Sequence, residues 1–338
     1  MVNQIVNRFK QLAIALFIIV GGFFFFSSCT TSIFDRKPMI FQSEEYVVYK
    51  LQEKKTSAML AEMFLGDKKK SWVIEDANEN AMFKKDEVIV IPLKEKNKGG
   101  LTDDGFQVVP ILSYHSFADN CSSCLCAPAH VFDQQMKYLK DNGYRIITLG
   151  ELYEFLKYRN SIPKRSVVIS IDDGYRSVYN IAWPILKKYG FRASLFIYTD
   201  FIGVSKNSLT WDQLREMKKG GFEIGSHTMS HCDLTIQNKG EDTQAYMSRI
   251  EKELGKSKQI INKKLKQNTV FLAFPYGRYD HSILDMCKRL GYKIAVSVKR
   301  GSNPFFADPL ALKRSQILKR DIKSFISRLK TFNKLSLE

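Results

Sequence analysis

Two adjacent carboxylates, Asp172 and Asp173, follow an apolar run and precede Gly174. The run, residues 166–171, is rich in β-branched side chains, which predicts a strand buried on both faces, as in a parallel sheet. Neighbouring side chains of a strand point to opposite faces, but a glycine lets the backbone turn, so both carboxylates can face one pocket. Because α/β folds carry their chemistry at the carboxyl ends of strands, this pair predicts a catalytic site. A dyad of two equivalent acids that share a proton is one interpretation.

Two histidines, His227 and His231, are four residues apart and follow a short predicted strand, residues 222–225. At the start of a helical turn, this spacing would place both rings on one face, where they can bind one metal ion. The chain has 5 histidines, so the alternative is a pair of surface residues at this spacing by chance. One added carboxylate would give a ligand set that leaves coordination positions for water and substrate. The pattern predicts a metal site, with zinc as the favoured ion.

Three motifs together resemble the polysaccharide deacetylases of carbohydrate esterase family 4, the proteins with a NodB homology domain. They are the strand that ends in Asp172-Asp173-Gly174, the segment His227-Thr228-Met229-Ser230-His231 and the turn Phe274-Pro275-Tyr276-Gly277. They occur in the order of the family, and the resemblance covers residues 107–338. It implies an α/β fold, a distorted (β/α) barrel, and an enzyme that hydrolyses the amide C–N bond of N-acetyl groups on a polysaccharide.

The resemblance also implies roles for the motif residues. The metal ligands would be Asp173, His227 and His231. Asp172 would be the catalytic base, and the backbone N–H of Tyr276 would stabilise the oxyanion. These roles agree with physical chemistry, because a metal lowers the pKa of a water that it binds toward about 7, and a free carboxylate can accept the proton. A backbone N–H can stabilise the oxygen that becomes negative during attack on the carbonyl.

The general acid departs from the family pattern, because most members use a C-terminal histidine and no histidine follows His281. His115 ends the first predicted strand, in a segment that resembles a subgroup with its acid motif at the N-terminus of the domain. The first and last strands of a closed barrel are neighbours, so this relocation is geometrically possible. We therefore predict His115 as the acid, with a structural histidine as the alternative. His130 and His281 fall on predicted helices and are expected at the surface.

A second departure is Ala273, which stands where many members have an arginine that orients the base. Arg314 lies on the last predicted strand, residues 312–318, and could reach the same place. One hypothesis is that Arg314 orients Asp172. The alternative is a solvated basic residue.

The cysteines allow several interpretations. Three lie in the loop after His115 and two lie further on: Cys121, Cys124, Cys126, Cys232 and Cys287. Disulfides are the first expectation outside the cytoplasm, and with five cysteines after Cys29 at least one must stay free or pair with another molecule. A second metal in the three-cysteine loop is the alternative.

From residue 107 onward, predicted strands and helices alternate. Examples are a helix over residues 178–189 despite Pro184, a helix over 211–219 behind a Thr210 cap, and a long helix over 243–265. Such alternation predicts a parallel sheet with crossover helices, and the number of units predicts closure into a barrel.

A smaller module, residues 45–93, precedes this domain. Its pattern of strand (45–51), helix after Thr56, helix (71–77) and strand (87–92) resembles the LysM domain, whose members bind glycans that contain N-acetylglucosamine. The segment Glu53-Lys54-Lys55-Thr56 departs from the Gly-Asp-Thr loop of that family. The alternative is therefore a packing or spacer domain that binds nothing. Residues 94–106 are interpreted as a linker.

The N-terminus, residues 1–28, has the pattern of an export signal, with Arg8, Lys10 and no acid before an apolar run over residues 12–26. Ser27-Ser28-Cys29 resembles the lipobox of bacterial lipoproteins, which implies that Cys29 is lipidated. Phe26 departs from the aliphatic residue usual in a lipobox, so an uncleaved anchor and an ordinary signal peptide are the alternatives. The protein is expected outside the cytoplasmic membrane in each case.

The composition agrees with a globular envelope protein. The 338 residues are 44 % hydrophobic and 26 % charged, and the net charge of +17 suits anionic envelope polymers or lipid headgroups. The sequence contains no basic motif interleaved with aromatic residues, which would have indicated a nucleic acid partner. We predict a lipid-anchored de-N-acetylase of peptidoglycan or of a poly-N-acetylglucosamine exopolysaccharide. The alternatives are an O-acetyl-polysaccharide esterase and a catalytically silent glycan-binding lipoprotein, and the base beside a complete ligand set argues against the silent protein.

Overall fold

The computed structural model describes residues 39–94, 97–318 and 320–335, in two units that meet between Leu93 and Lys94. The predicted export signal over residues 1–28 and the predicted lipidation site Cys29 lie outside the described residues. Within the described part of the chain, no helix is both long enough and apolar enough to span a membrane.

Over its described residues, 39–93, the first unit is a three-stranded antiparallel sheet with two α-helices. Its elements are β1 (Met39–Gln42), β2 (Tyr46–Lys50), α1 (Ser57–Leu65), a 3-10 turn (Lys68–Lys70), α2 (Ser71–Ala77) and β3 (Val88–Pro92). The Thr56 hydroxyl caps α1 by accepting a hydrogen bond from the N–H of Met59, and Gly66 ends the helix in the left-handed conformation. The predicted order strand, helix, helix, strand is present, and β1 is an additional strand whose exposed residues show no apolar alternation. Membership of the LysM family stays a prediction.

The second unit alternates strands and helices. Its first half contains β4 (Leu101–Thr102), β5 (Gly105–Tyr114), β6 (Ser116–Ala118), β7 (Cys126–Pro128), α3 (Ala129–Asp141), β8 (Arg145–Ile146), α4 (Leu149–Leu156), β9 (Ser166–Ile171), a π-helix (Val178–Ala182) and α5 (Trp183–Lys188). Its second half contains β10 (Ser194–Ile197), α6 (Trp211–Lys219), β11 (Glu223–Ser226), α7 (Thr243–Leu265), β12 (Phe271–Ala273), a 3-10 turn (Pro275–Gly277), α8 (His281–Arg289), β13 (Ile294–Val296), β14 (Ser302–Pro304), β15 (Ser315–Gln316), α9 (Ile322–Ile326) and β16 (Phe332–Lys334).

Six strands pair side by side in the order β13-β12-β11-β10-β9-β5, and each pair is parallel. The segment 312–316 closes this sheet, because Leu312 bridges Val296 in β13 while β15 pairs in parallel with β5. The predicted distorted (β/α) barrel is confirmed. β9 is buried at all six positions, which explains its continuous apolar sequence.

Some boundaries differ from the predictions. The helix predicted over residues 178–189 begins as a π-helix and continues as α5, with Pro184 in the first turn of α5, where proline is tolerated. The strand predicted over residues 312–318 is paired as a strand only at β15. β4 and the first residues of β5 lie in the segment 94–106 that the sequence assigns to a linker, and β4, β14 and β16 pair antiparallel with β5.

The barrel brings the predicted site residues to one edge, because parallel strands have their carboxyl ends on the same side. β5 ends directly before His115, β9 directly before Asp172 and β11 directly before His227. β12 ends two residues before the turn Pro275–Gly277. The order of strands in the barrel therefore makes neighbours of residues that are far apart in the sequence.

Candidate metal centre

Three side chains converge at the carboxyl edge of the barrel: Asp173 after β9, and His227 and His231 after β11. One ligand atom of each lies within 4.8 Å of the others. The Oδ1 atom of Asp173 is 3.6 Å from Nε2 of His227 and 3.5 Å from Nε2 of His231. A carboxylate oxygen and two imidazole nitrogens are a donor set that transition metals accept. The geometry therefore fits a divalent cation.

The protonation states of the three side chains also favour the binding of a cation. Nδ1 of His227 lies 2.8 Å from the carbonyl oxygen of Ala273, which can only accept, so Nδ1 carries the proton and Nε2 is free to bind. Burial lowers the pKa of His227 to about 4 and also lowers the pKa of His231, so both rings are neutral at pH 7. Burial and the charge of Asp172 raise the pKa of Asp173 to about 7. A cation would relieve this accumulation of buried charge.

The loop between the two histidines is not helical, so the predicted helical turn is wrong. The backbone instead turns through left-handed residues, Thr228 with φ of 69° and His231 with φ of 63°. Asp173 is also left-handed, with φ of 74°, and is followed by Gly174 with φ of 96°. Such non-glycine conformations are costly and persist where the surrounding structure holds them. The turn after β9 is thus made by two left-handed residues, Asp173 and Gly174, whereas the sequence analysis expected Gly174 alone to make it.

Asp172 has a partner of its own. Both of its carboxylate oxygens accept hydrogen bonds of 2.7 Å from the guanidinium of Arg314, which also donates to the carbonyl of Ser297 and to the hydroxyl of Ser170. Arg314 is fully buried at 0 % exposure, so it lies against Asp172 and not in solvent. Burial is the largest single effect and would raise the pKa of Asp172, but the charge and hydrogen bonds of Arg314 together with the neighbouring histidines outweigh it and lower the pKa to about 2. The two adjacent acids are therefore electrostatically different and do not form an equivalent dyad.

His115 also lies beside Asp172. Its Nε2 atom is 3.9 Å from Oδ2 of Asp172, and its side chain is 12 % exposed. Burial lowers the pKa of His115, and the neighbouring carboxylate of Asp172 opposes that shift without cancelling it. The structure thus places His115 beside the predicted base, and its role as acid stays a prediction.

Two tyrosines flank His231. The Tyr276 ring centroid is 4.9 Å from that of His231, its side chain is 59 % exposed, and its backbone has φ of 58°. The Tyr198 ring centroid lies 5.3 Å from that of His231. The sequence analysis missed Tyr198, although its place at the end of β10 was a signal. The oxyanion role of the Tyr276 N–H stays a prediction.

The remaining histidines and the cysteines lie outside the cluster. His130, in α3, and His281, at the start of α8, are exposed. Cys121 and Cys126 form a disulfide. Among the cysteines that the structure describes, the free thiols are Cys124, which is exposed, Cys232, which is half-buried, and Cys287, which is buried. The disulfide leaves one thiol in the three-cysteine loop, so a second metal site in that loop is not supported.

Comparisons with known proteins agree with this geometry. Residues 159–295 match the family model described as polysaccharide deacetylase. YxkH of Bacillus subtilis (strain 168) is 35 % identical over 194 residues, which are 57 % of this chain and 66 % of the relative. The poly-beta-1,6-N-acetyl-D-glucosamine N-deacetylase of Staphylococcus aureus (strain MRSA252) is 34 % identical over 173 residues, which are 50 % of this chain and 59 % of the relative.

Among solved structures, the Streptococcus pyogenes deacetylase PplD in complex with acetate superposes with a TM-score of 0.60 and 30 % identity. The superposition covers 66 % of this chain and 98 % of PplD. The chain spans less than the full length of these two curated relatives, 66 % of one and 59 % of the other.

Proposed function

Since the chain belongs to the polysaccharide deacetylase family, we propose that it hydrolyses N-acetyl groups on a polysaccharide that contains N-acetylglucosamine. The observation that carries the proposal is that a possible metal site and a possible base lie together at one edge of the barrel. Three donors, Asp173, His227 and His231, converge beside the separate carboxylate of Asp172, which is buried and ionised. A protein that only binds glycans has no need for the second carboxylate.

The cation proposed for this site is zinc, because two imidazoles and one carboxylate are a ligand set typical of catalytic zinc. Asp173, His227 and His231 would hold it. When bound, it would polarise the acetyl carbonyl and make a water more acidic.

Asp172 is the proposed base. Its low pKa keeps it ionised throughout the physiological range, so it is always able to accept a proton from the attacking water. The two hydrogen bonds from Arg314 fix the plane of the carboxylate, which is the orienting role proposed for that arginine.

His115 and Tyr276 complete the proposed mechanism. The amine that leaves must gain a proton, and His115, whose Nε2 atom lies 3.9 Å from Asp172, is proposed to donate it. Tyr276 lies beside His231, so its N–H is proposed to stabilise the negative oxygen of the attacked carbonyl. Attack, collapse and proton donation would release acetate and a free amino sugar.

Two polymers are proposed as substrates. The S. aureus relative is named for poly-beta-1,6-N-acetyl-D-glucosamine. The LysM-like module, proposed for residues 45–93, favours peptidoglycan. We propose that the mature protein is exported and held at the membrane through lipidated Cys29, with residues 107–338 as the catalytic domain.

The test is acetate release by the mature protein with added zinc. Poly-beta-1,6-N-acetylglucosamine oligomers, chitooligosaccharides, peptidoglycan and an O-acetylated xylan are compared, with Asp172→Asn as the control. Release from an N-acetylated polymer by the wild type alone supports the proposal and identifies the substrate. Release from xylan alone would favour the esterase, and no release from any polymer would favour the silent binding protein.

A further inference from the structure

A buried carboxylate on α7 holds the loop that carries His231. Glu253 is 5 % exposed and lies on the face of α7 that contains Ile250 and Leu254, which are buried. A charged side chain on the apolar face of a helix needs compensating hydrogen bonds. Its donors come from the loop between His227 and His231.

Three hydrogen bonds join this carboxylate to the loop. Its Oε2 atom accepts from the backbone N–H of Met229 at 3.0 Å and of Ser230 at 2.9 Å. Its Oε1 atom accepts from the Ser230 hydroxyl at 2.8 Å. Met229 and Ser230 stand directly before His231, so the carboxylate fixes the backbone that aims this histidine.

The loop requires such a support because its backbone is strained. Thr228 and His231 are left-handed, with φ of 69° and 63°, and such residues cost free energy unless neighbours hold them. His227 has a direct hydrogen bond from its ring to the Ala273 carbonyl. His231 is placed by its loop, in which its own N–H donates to the Thr228 hydroxyl oxygen at 3.1 Å.

We propose that Glu253 is a positioning residue for the metal centre: it holds residues 229 and 230 so that His231 faces Asp173. The inference rests on the metal site of the proposed function. Glu253 itself is not part of the three-residue cluster. A hydrogen-bonded support of this kind sets metal affinity as well as stability, because it orients a ligand before the metal binds.

Glu223 provides a matched control, since it too has a carboxylate that accepts three hydrogen bonds. Its donors are the N–H groups of Leu149 and Gly150 and the Ser194 hydroxyl, at 2.7, 3.0 and 2.7 Å. It stands at the start of β11, the end of the strand opposite to the metal ligands. Its removal should therefore lower stability without changing the metal centre.

The experiment measures the zinc dissociation constant of the mature protein by chelator competition, together with the Tm of the metal-free protein. We expect Glu253→Ala to raise the Kd about 10- to 100-fold, the range for supports of metal ligands. Glu253→Gln should bind zinc as the wild type does. Its amide oxygen can accept both backbone N–H groups while its NH₂ donates to the Ser230 hydroxyl. Glu223→Ala should lower the Tm and leave the Kd unchanged.

A second variant covers the case in which Glu253→Ala does not fold. Glu253→Asp keeps the charge but is one methylene too short to reach all three donors, so it should also weaken zinc binding. Wild-type affinity in Glu253→Ala, or in Glu253→Asp if Ala does not fold, would overturn the inference and leave a merely structural glutamate. A wild type that does not bind zinc would overturn the proposed function itself.

Discussion

At the scale of single residues, two neighbouring carboxylates are given different chemistry by their partners. Asp172 is bound by Arg314, which keeps it ionised with a pKa of about 2. Asp173 faces two neutral imidazoles, and its pKa is raised to about 7. The sequence predicted which residues would meet here. It could not predict that Arg314 would be fully buried, because that depends on the closure of the barrel.

Arg314→Ala should lower kcat far more than it changes KM. A buried carboxylate without its partner binds a proton more readily, so the pKa of Asp172 should rise and the acid limb of the pH profile should move to higher pH. Loss of an effective base corresponds to roughly a 10²-fold loss of rate. Steady-state kinetics between pH 4 and 9 measure both effects.

The control for this variant is Arg192→Ala, which removes an exposed guanidinium paired with Glu151 at 3.2 Å. That variant should keep wild-type kinetics. Arg314→Ala also breaks the buried ion pair with Asp172, which should lower the stability by about 3–5 kcal/mol. The assay temperature must therefore be low enough to keep this variant folded. Unchanged kcat and an unchanged acid limb in folded Arg314→Ala would contradict the orienting role.

Zinc affinity should depend on pH through Asp173. Its pKa in the metal-free protein is about 7, so below that pH the metal must displace one proton. The Kd should therefore rise at least about tenfold for each unit of pH decrease from 7 to 5, and it should be nearly constant above 7. His227, whose pKa is about 4, stays neutral in this window. Competition titrations at several pH values make the measurement, and a constant Kd from pH 5.5 to 7 would contradict the assignment.

The raised pKa of Asp173 also makes the stability of the metal-free protein depend on pH. The folded pKa of Asp173 is above the unfolded value of 3.8, so its contribution to stability is complete below pH 3.8 and is lost as the pH rises toward 7. Asp172 has the opposite sign, since its folded pKa is about 2. Its contribution is present above pH 3.8 and is lost as the pH falls toward 2.

At the scale of elements, the strands and helices were more predictable than the turns that end them. The helices over 211–219 and 243–265 begin and end as predicted, because caps and apolar spacing mark them. The loop after β11 was wrongly predicted as helical, because histidines four apart also meet across two left-handed residues. The pairing of β14 and β16 with β5 joins segments far apart in the sequence, which local patterns cannot show.

Gly277→Ala should destabilise the third motif turn more than a comparable glycine substitution elsewhere. A Cβ at Gly277 would lie 2.4 Å from the backbone nitrogen of Val298, which cannot move freely. Gly190→Ala is the control, because both glycines are left-handed, with φ of 68° and 70°, but nothing lies within 4 Å of a Cβ at Gly190. The difference in free energy of unfolding should be about 1–3 kcal/mol, the cost of overpacking. Urea unfolding of both variants measures it, and equal losses would show that the Val298 contact is unimportant.

At the scale of the whole molecule, metal binding and folding should be linked. Only the folded barrel brings residues from β9 and β11 together, so zinc should stabilise the native state and not the unfolded chain. Zinc at 100 times its Kd should add about 2.7 kcal/mol to the stability, and a chelator should remove this gain. Thermal unfolding with and without zinc measures the effect. Asp173→Asn should show almost no gain, and an equal gain in that variant would place the metal elsewhere.

The architecture of the large unit was predictable because strand and helix alternation has few topological solutions. Closure into a barrel through a last strand over residues 312–318 was also predicted, but its extent was not, since only Leu312 and the short β15 pair there. The charge of +17 on the full chain suits contact with anionic envelope polymers or lipid headgroups, which stays a prediction.

The most direct test of the account compares Asp172→Asn and Asp173→Asn for acetate release and for zinc binding. Both variants should lose acetate release from the N-acetylated substrate, because one lacks the base and the other lacks a metal ligand. Only Asp173→Asn should bind zinc markedly more weakly than the wild type. If both variants lost zinc affinity equally, or if Asp172→Asn still released acetate at the wild-type rate, the division between the metal ligand and the base would be contradicted.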